Sequence, residues 1–581
     1  MKTISFFLVR FSLVGALFAG GVSWAAEKRS LADVMPAGAV VYLELDDLGG
    51  KVNQIHKSKL YADILESPQF KEFAGSRQYR TAQAGRKVAE TLIGMDLWTA
   101  AEKMLGGQMA MGLYPKEGGP EPEAVLILRV GDEVALKKIR GRLEPFIFLA
   151  GDKIKKEGLP GGVDLFNLEN KILVAAKGDW LAVAENRGLL KQAIQMLNGQ
   201  PGKAVAKEKG FVKYRANMGR RHFAQMYVDM AAISDFVGVR LGLPEKMADG
   251  GASLFFHGLL ELATRSSFLG VTLDAGEAGF ALTGGIEGGP AILPEKYQWY
   301  FSDPKGKGTP DIPEVPGLLG GITIHRNFGE WYRLREKLLQ ERLLAGFDQF
   351  EAGVGNLFPG RDFGEDVLPA LGSTFTFVTA RQTYQHLDGA PGLKIPAFAL
   401  IFDLDKPEEG ADLFQLIFQT IVTITNFENK EKNRQPWVMA AQAYKGQSLA
   451  FAKYMKKPKG DKLPLSANFQ PSAVLVGKKF ILSSTVELGK ALVDALQKPA
   501  AGAQRSNRNF NFEIKPSALV DVVEDNRGQL VAQAIQKGET AKQAKWGVDT
   551  LQRMLKSISL IRLSTSVSEE DFRIKLEGHW K

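Results

Sequence analysis

Two hydrophobic periodicities alternate along this chain. In one, apolar and polar residues trade places at every second position, the mark of a strand with one buried face. It occurs at Val40–Leu45 (VVYLEL), Gln108–Met111, Ala124–Val130, Ile172–Ala184, Gln225–Asp229 and Gly270–Glu287. In the other, apolar residues recur three and four apart, as an amphipathic helix requires; Leu189–Leu197 is an example. Several strands come in pairs across short turns, such as Lys177-Gly178-Asp179 and Val476-Gly477-Lys478. Such hairpins impose antiparallel pairing. The expected class is α+β, a mostly antiparallel sheet of hairpins with amphipathic helices packed on one face.

The same order of elements returns further along, which marks an internal repeat. Gly94-Met95-Asp96-Leu97, Leu105-Gly106-Gly107 and the strand from Gln108 match Gly360-Arg361-Asp362-Phe363, Leu371-Gly372-Ser373 and Thr374–Phe377, at constant spacing and without a gap. Asp96 and Asp362 are expected to cap short helices, worth ~1 kcal/mol each. Gly106 and Gly372 are expected to end those helices in the left-handed conformation. Met35-Pro36-Ala37 before Val40–Leu45 matches Val315-Pro316-Gly317 before Gly321–His325. Ala397–Asp403 matches Ala124–Val130, and the hairpin Ala473–Ser484 with the helix Leu488–Leu496 matches Ile172–Leu197. Phe510–Ile514 and the closing hairpin Ser564–Glu577 complete the series. This reading divides the chain into a leader at 1–25, a first α+β domain at 26–289, a Pro/Gly-rich connector at 290–313 and a second α+β domain at 314–581.

The leader has the order of a secretory signal: Lys2 and Arg10, the apolar run Phe11–Val22, then small residues at Ser23 and Ala25, with cleavage expected after Ala25. The apolar run is shorter than the ~20 residues of a spanning helix. No transmembrane span is expected in the mature chain, and Leu413–Ile424, interrupted by Gln415 and Gln419, reads as a buried helix. A periplasmic or secreted location follows. The 581 residues contain no cysteine, which excludes disulfides, thiolate metal sites and a lipid anchor on an N-terminal cysteine. The net charge of +9 is modest for this length and lacks the dense basic face of a nucleic-acid binder, so no nucleic-acid partner is expected.

Candidate chemistry is sparse. The six histidines, His56, His222, His257, His325, His386 and His579, are widely spaced and form no metal-ligand motif. No metal site, cofactor-binding residue or cofactor is expected, and catalytic residues stay unknown, because a Ser/His/Asp site is set by geometry and leaves no local pattern. Two basic clusters could meet an anionic surface: Arg326, Arg333, Arg335, Lys337 and Arg342 on an expected helix, and Lys453, Lys456, Lys457, Lys459 and Lys462 in an expected loop. Trp299, Tyr300, Trp331 and Tyr332 could line a groove or anchor the core.

The opening Leu31–Leu45 (LADVMPAGAVVYLEL), with the later Gly-x-Asp-apolar…Leu-Gly entry into a strand, resembles a group of exported bacterial proteins of unknown function. The resemblance implies tandem α+β domains and a bacterial envelope location, and brings no site residues with it. The second half departs from it, with Val-Pro-Gly and no strand tyrosine. The expected function is a non-catalytic envelope role, binding a macromolecule or scaffolding an unknown envelope protein. An exported hydrolase with a non-local site and a carrier of lipid or another apolar ligand are the alternatives.

Overall fold

The alternating stretches are strands. The computed structural model describes residues 30–581 apart from 67, 117–120, 150–152, 170, 220, 238–243, 303–307, 356–359, 433, 457, 461–462 and 499–506. The leader expected at 1–25 lies outside the described residues. The chain divides into two compact units, 1–242 with 266–287, and 243–265 with 288–581.

The first unit contains Val41–Asp46 (β1), Gln108–Tyr114 (β2), Glu123–Arg129 (β3), Ile154–Leu159 (β4), Val163–Leu168 (β5), Ile172–Lys177 (β6), Trp180–Ala184 (β7), Ala224–Asp229 (β8), Phe268–Gly276 (β9) and Gly279–Glu287 (β10). They pair antiparallel throughout, in the order β4-β5-β6-β7-β3-β2-β1-β8-β9-β10. The second unit contains Leu318–His325 (β11), Leu371–Ala380 (β12), Ala397–Leu404 (β13), Trp437–Tyr444 (β14), Gln447–Tyr454 (β15), Ser472–Val476 (β16), Lys479–Ser483 (β17), Arg508–Ile514 (β18), Ile558–Val567 (β19) and Asp571–Trp580 (β20). These also pair antiparallel, in the order β14-β15-β16-β17-β13-β12-β11-β18-β19-β20. Counted from its own first strand, each unit has the same strand order. The α+β class holds.

Helices pack on the sheets because their apolar stripes have nowhere else to go, but not on one face as expected: in the second unit Val486–Gln497 packs against Val474 and Ile481 and Pro407–Glu431 against Ala473 and Phe480, residues that alternate to opposite faces. In the first unit, Asn186 caps Arg187–Leu197, which buries Leu190, Ala193 and Ile194. Lys209–Met218 buries Phe211, Tyr214 and Met218. The rings of Phe211, Tyr42, Tyr214 and Tyr227 meet edge-on or tilted at 5.2–5.5 Å, the favoured geometry for aromatic pairs. In the second unit, Thr485 caps Val486–Gln497, which buries Leu488, Leu492 and Val493. Pro407–Glu431 buries Leu413, Phe414, Phe418 and Val422. That helix is only half buried: Ile421 and Ile424, expected inside, are 42% and 49% exposed, and Phe427 beyond them is 67% exposed.

The structure places two segments differently from the sequence reading. The helix Gly250–Arg265 joins β8 to β9 yet belongs to the second unit, where the Tyr300 hydroxyl donates to the Phe255 carbonyl at 2.7 Å. The expected connector holds the short helix Glu295–Tyr300, whose Tyr297, Trp299 and Tyr300 are buried in that same unit. Its glycines and prolines read as a linker, and its aromatics anchor it to a core.

Asp96 and Asp362 cap helices as expected, each accepting from the backbone N–H three residues on, at 2.9 and 2.7 Å. Gly106 and Gly372 are not left-handed; Gly106 has φ −75° and Gly372 lies within β12. Close approach is the reason for glycine here. A Cβ on Gly106 would stand 2.3 Å from the Glu102 carbonyl oxygen, and one on Gly107 would stand 1.9 Å from that of Arg129. Backbone cannot yield as a side chain does, so Gly107→Ala should destabilise the chain by about 1–3 kcal/mol. Gly141, exposed in the helix Glu133–Leu149, has open space where its Cβ would lie. Gly141→Ala should stabilise by about 0.5–1 kcal/mol. Urea unfolding of both variants checks this pair of opposite signs.

Candidate functional site

The most deeply buried carboxylate belongs to Glu44, and β1 explains its place. Tyr42 and Glu44, two residues apart, share the sheet face that packs inward. Glu44 stands opposite Gln225 of β8. Its Oε1 accepts from the Leu31 N–H at 2.9 Å. Its Oε2 accepts from the Ser30 hydroxyl at 2.7 Å, the Tyr42 hydroxyl at 2.8 Å and the Gln225 amide at 2.6 Å. Four donors hold a group that is 5% exposed, which offsets the cost of burying its charge. Burial, then the neighbouring carboxylate, hold the Tyr42 hydroxyl well above the usual phenol range, so it stays a donor. The cluster therefore acts as a closed tie between the segment entering β1 and the sheet.

The six histidines come together nowhere among the described residues. His56 stacks on Trp98 with ring centroids 4.3 Å apart. His386 lies 3.6 Å from Glu487. The His579 carbonyl accepts from Ser559, next to the chain end. His257 is wholly buried, with its ring edge-on to Tyr297 at 4.8 Å; burial lowers its pKa. Burial, then the adjacent Arg326 charge, push His325 down to about 4.

His222 is the one histidine whose pKa is raised. Burial works against its charge, but the hydrogen bond to Asp274, that residue's charge and the Met218 carbonyl outweigh it. Nδ1 meets Asp274 at 2.8 Å and Nε2 meets the Met218 carbonyl oxygen at 2.8 Å. Both partners are acceptors, so the site favours the doubly protonated ring, in which both nitrogens donate. A cation at the end of Lys209–Met218 also suits the helix dipole. Sequence reasoning missed this pair because Asp274 lies on β9, 52 residues further along, and no local spacing announces it.

The first basic cluster is not one solvated face. Arg326 is 3% exposed and precedes the helix Phe328–Arg333. Its guanidinium lies 3.7 Å from the centre of the Tyr300 ring and donates to the carbonyls of Leu254, Tyr300 and His325. Arg333 pairs with Glu330 at 2.9 Å, and Arg335 lies over the Tyr332 ring at 4.1 Å. Of the second cluster, Lys453, Lys456 and Lys459 are exposed, while Lys457 and Lys462 lie outside the described residues. Trp299, Tyr300 and Tyr332 are buried, and Trp331 tilts against Trp299 at 6.4 Å, so these rings anchor a core and line no groove.

A cavity of about 10 Å³ lies among Arg381, Gln382, Tyr384, Lys394, Ile395, Pro396, Val522 and Asp525. That is room for a single water. Beside Ser76–Ala82 an open depression follows one helix. Among the described residues no group of three His, Asp or Glu could hold a metal, and no helix is long and apolar enough to cross a membrane.

What stays open is a sheet rim. In the first unit the rim strand β4 carries Lys155, Lys156 and Glu157. In the second, the rim strand β14 (WVMAAQAY) carries no charge and no proline. Val438, Met439 and Met455 beside it are 37%, 38% and 63% exposed. Charged residues on a rim discourage pairing with another chain, and β14 lacks that protection.

No family model matches the chain, and no curated protein does either. Among solved structures it is similar to crystal forms IV, III and I of TP0453, at 13%, 12% and 11% identity. These cover 46%, 45% and 47% of this chain and 83%, 80% and 83% of the other, with TM-scores of 0.24, 0.22 and 0.23.

The raised pKa of His222 sets a pH test. A histidine whose folded-state pKa is raised stabilises the fold fully below its ordinary value of ~6.5 and ceases to do so as pH rises through the raised value. His222→Gln should therefore cost about 1 kcal/mol near pH 5.5 and progressively less toward pH 8.5. Thermal melts of both forms across that range check it; a pH-independent difference contradicts the imidazolium.

Proposed function

We propose that this is an exported, non-catalytic envelope protein built by duplication of one α+β domain, which works by holding another macromolecule against its second unit. The shared strand order of the two units and the matched Asp caps support the duplication. The leader and the resemblance of Leu31–Leu45 to exported proteins support the location, in the periplasm or beyond it. One observation carries the binding role: β14 offers a neutral, uncovered strand edge flanked by exposed apolar side chains. The polar groups that chemistry would draw on are committed elsewhere, Glu44 to four donors, Arg326 to backbone carbonyls and His222 to a helix end.

Native mass spectrometry of the mature protein, purified from its own envelope fraction, tests this. The expected spectrum shows complexes of protein subunits with no small molecule retained. Specific turnover in a broad hydrolase screen, or a stoichiometric lipid in the spectrum, would overturn the reading.

A further inference from the structure

The helix Arg77–Ile93 of the first unit touches the rest of the protein along a narrow strip, and none of its residues is buried. The less exposed side chains, Tyr79, Gln83, Arg86 and Glu90, recur three and four apart and so share one side. Glu90, the helix's one acid, pairs there with Arg86 at 2.7 Å. The other side carries Arg77, Arg80 and Lys87, all exposed. Among the described residues no carboxylate pairs with these three cations. On the same side stand Val88 and Leu92, 61% and 36% exposed. Phe73, just before the helix, is 50% exposed, with its ring held against Tyr79 at 5.6 Å. The acids next to the helix in sequence, Glu72 and Asp96, lie beyond its two ends, so none interrupts this side.

We infer that this side of the helix rests on the surface of an anionic lipid bilayer. Three cations without counter-charges call for an anionic partner. Apolar side chains interleaved with them call for a partner that is apolar just beneath its charged layer. A bilayer containing anionic lipid has that order, with headgroups level with the guanidinium and ammonium groups and acyl chains below. An acidic polypeptide or a polysaccharide would match the charge and leave Val88, Leu92 and Phe73 in water. The shape agrees: most residues of the helix are exposed, so it is a convex ridge that lies along a plane. Such contact is reversible, is weakened by salt and retains no single lipid molecule. It belongs to the first unit and needs nothing of β14, so it stands or falls apart from the binding role proposed above.

Flotation of the mature chain with lipid vesicles tests this. Vesicles of phosphatidylcholine with phosphatidylglycerol should carry the chain at low salt and release it at about 1 M salt, where the screening length falls to about 3 Å. Vesicles of phosphatidylcholine alone should not carry it. Arg77→Glu, Arg80→Glu and Lys87→Glu combined should weaken partitioning about a hundredfold. The same change of charge in the second unit, Lys453→Glu, Lys456→Glu and Lys459→Glu, all exposed positions, should leave flotation nearly unchanged. Val88→Gln with Leu92→Gln keeps every charge and should cost about tenfold. Far-UV circular dichroism of each variant should match wild type; if one loses its fold, the others together with the salt and lipid dependence decide. No flotation on anionic vesicles, equal loss from both charge variants, or full flotation of the Val88 and Leu92 variant would overturn the proposal. The last result, joined with retention of the chain on polyglutamate, would assign this side to an acidic protein instead. None of these results bears on β14, whose loss of partners would in turn leave flotation intact.

Discussion

Backbone N–H and C=O groups at the rim of an open sheet have to be satisfied by water, by the protein itself or by another chain. Both units of this protein meet that constraint, because each ends on a hairpin that pairs on one side only. They answer it differently. The first unit lines its rim with lysines and a glutamate, whose solvated side chains keep another strand away. The second uses the Asn426 side chain to imitate a strand at Trp437 and then leaves the next three outward positions bare. Two units of one strand order thus present unlike rims, and the difference is one of charge.

Inside the units the constraint is reversed, since water cannot reach the polar groups. Glu44 is kept by four donors, among them a tyrosine whose ring belongs to the aromatic core. In the second unit an ion-pair ladder spans three strands: Arg562 of β19 bridges Glu513 of β18 and Glu577 of β20 at 2.9 and 3.0 Å. Each arrangement is closed on itself. Such closure ties neighbouring strands together. The same economy turned Arg326, part of an apparently basic face, into a buried clamp on backbone carbonyls.

Much of the fold was legible because buried strands alternate and helices repeat every three to four residues. Val41–Asp46, the hairpin of β6 and β7 and the capped helix after it all follow from pattern. The rim hairpins were not legible for a physical reason. No residue of Ile154–Leu159 or Trp437–Tyr444 is fully buried, so burial imposes no alternation on them. Alanine, methionine and glutamine in β14 even favour a helix. Partnerships across the sheet, such as Glu44 with Gln225 or His222 with Asp274, were invisible because register, not spacing, brings them together. Ile421 and Ile424 were misplaced because a hydrophobic segment reads as buried whether or not a partner is present.

Residue-resolved hydrogen exchange on the mature chain, alone and in the complexes purified from its envelope fraction, probes the rim most directly. Val438, Ala440 and Gln442, bonded to β15, should be protected in both. Met439, Ala441 and Ala443 should exchange rapidly in the chain alone and become protected in the complexes. If those three amides stay fast in the complexes, or are already slow in the chain alone, the rim is not where the protein holds its partner and the account of β14 fails.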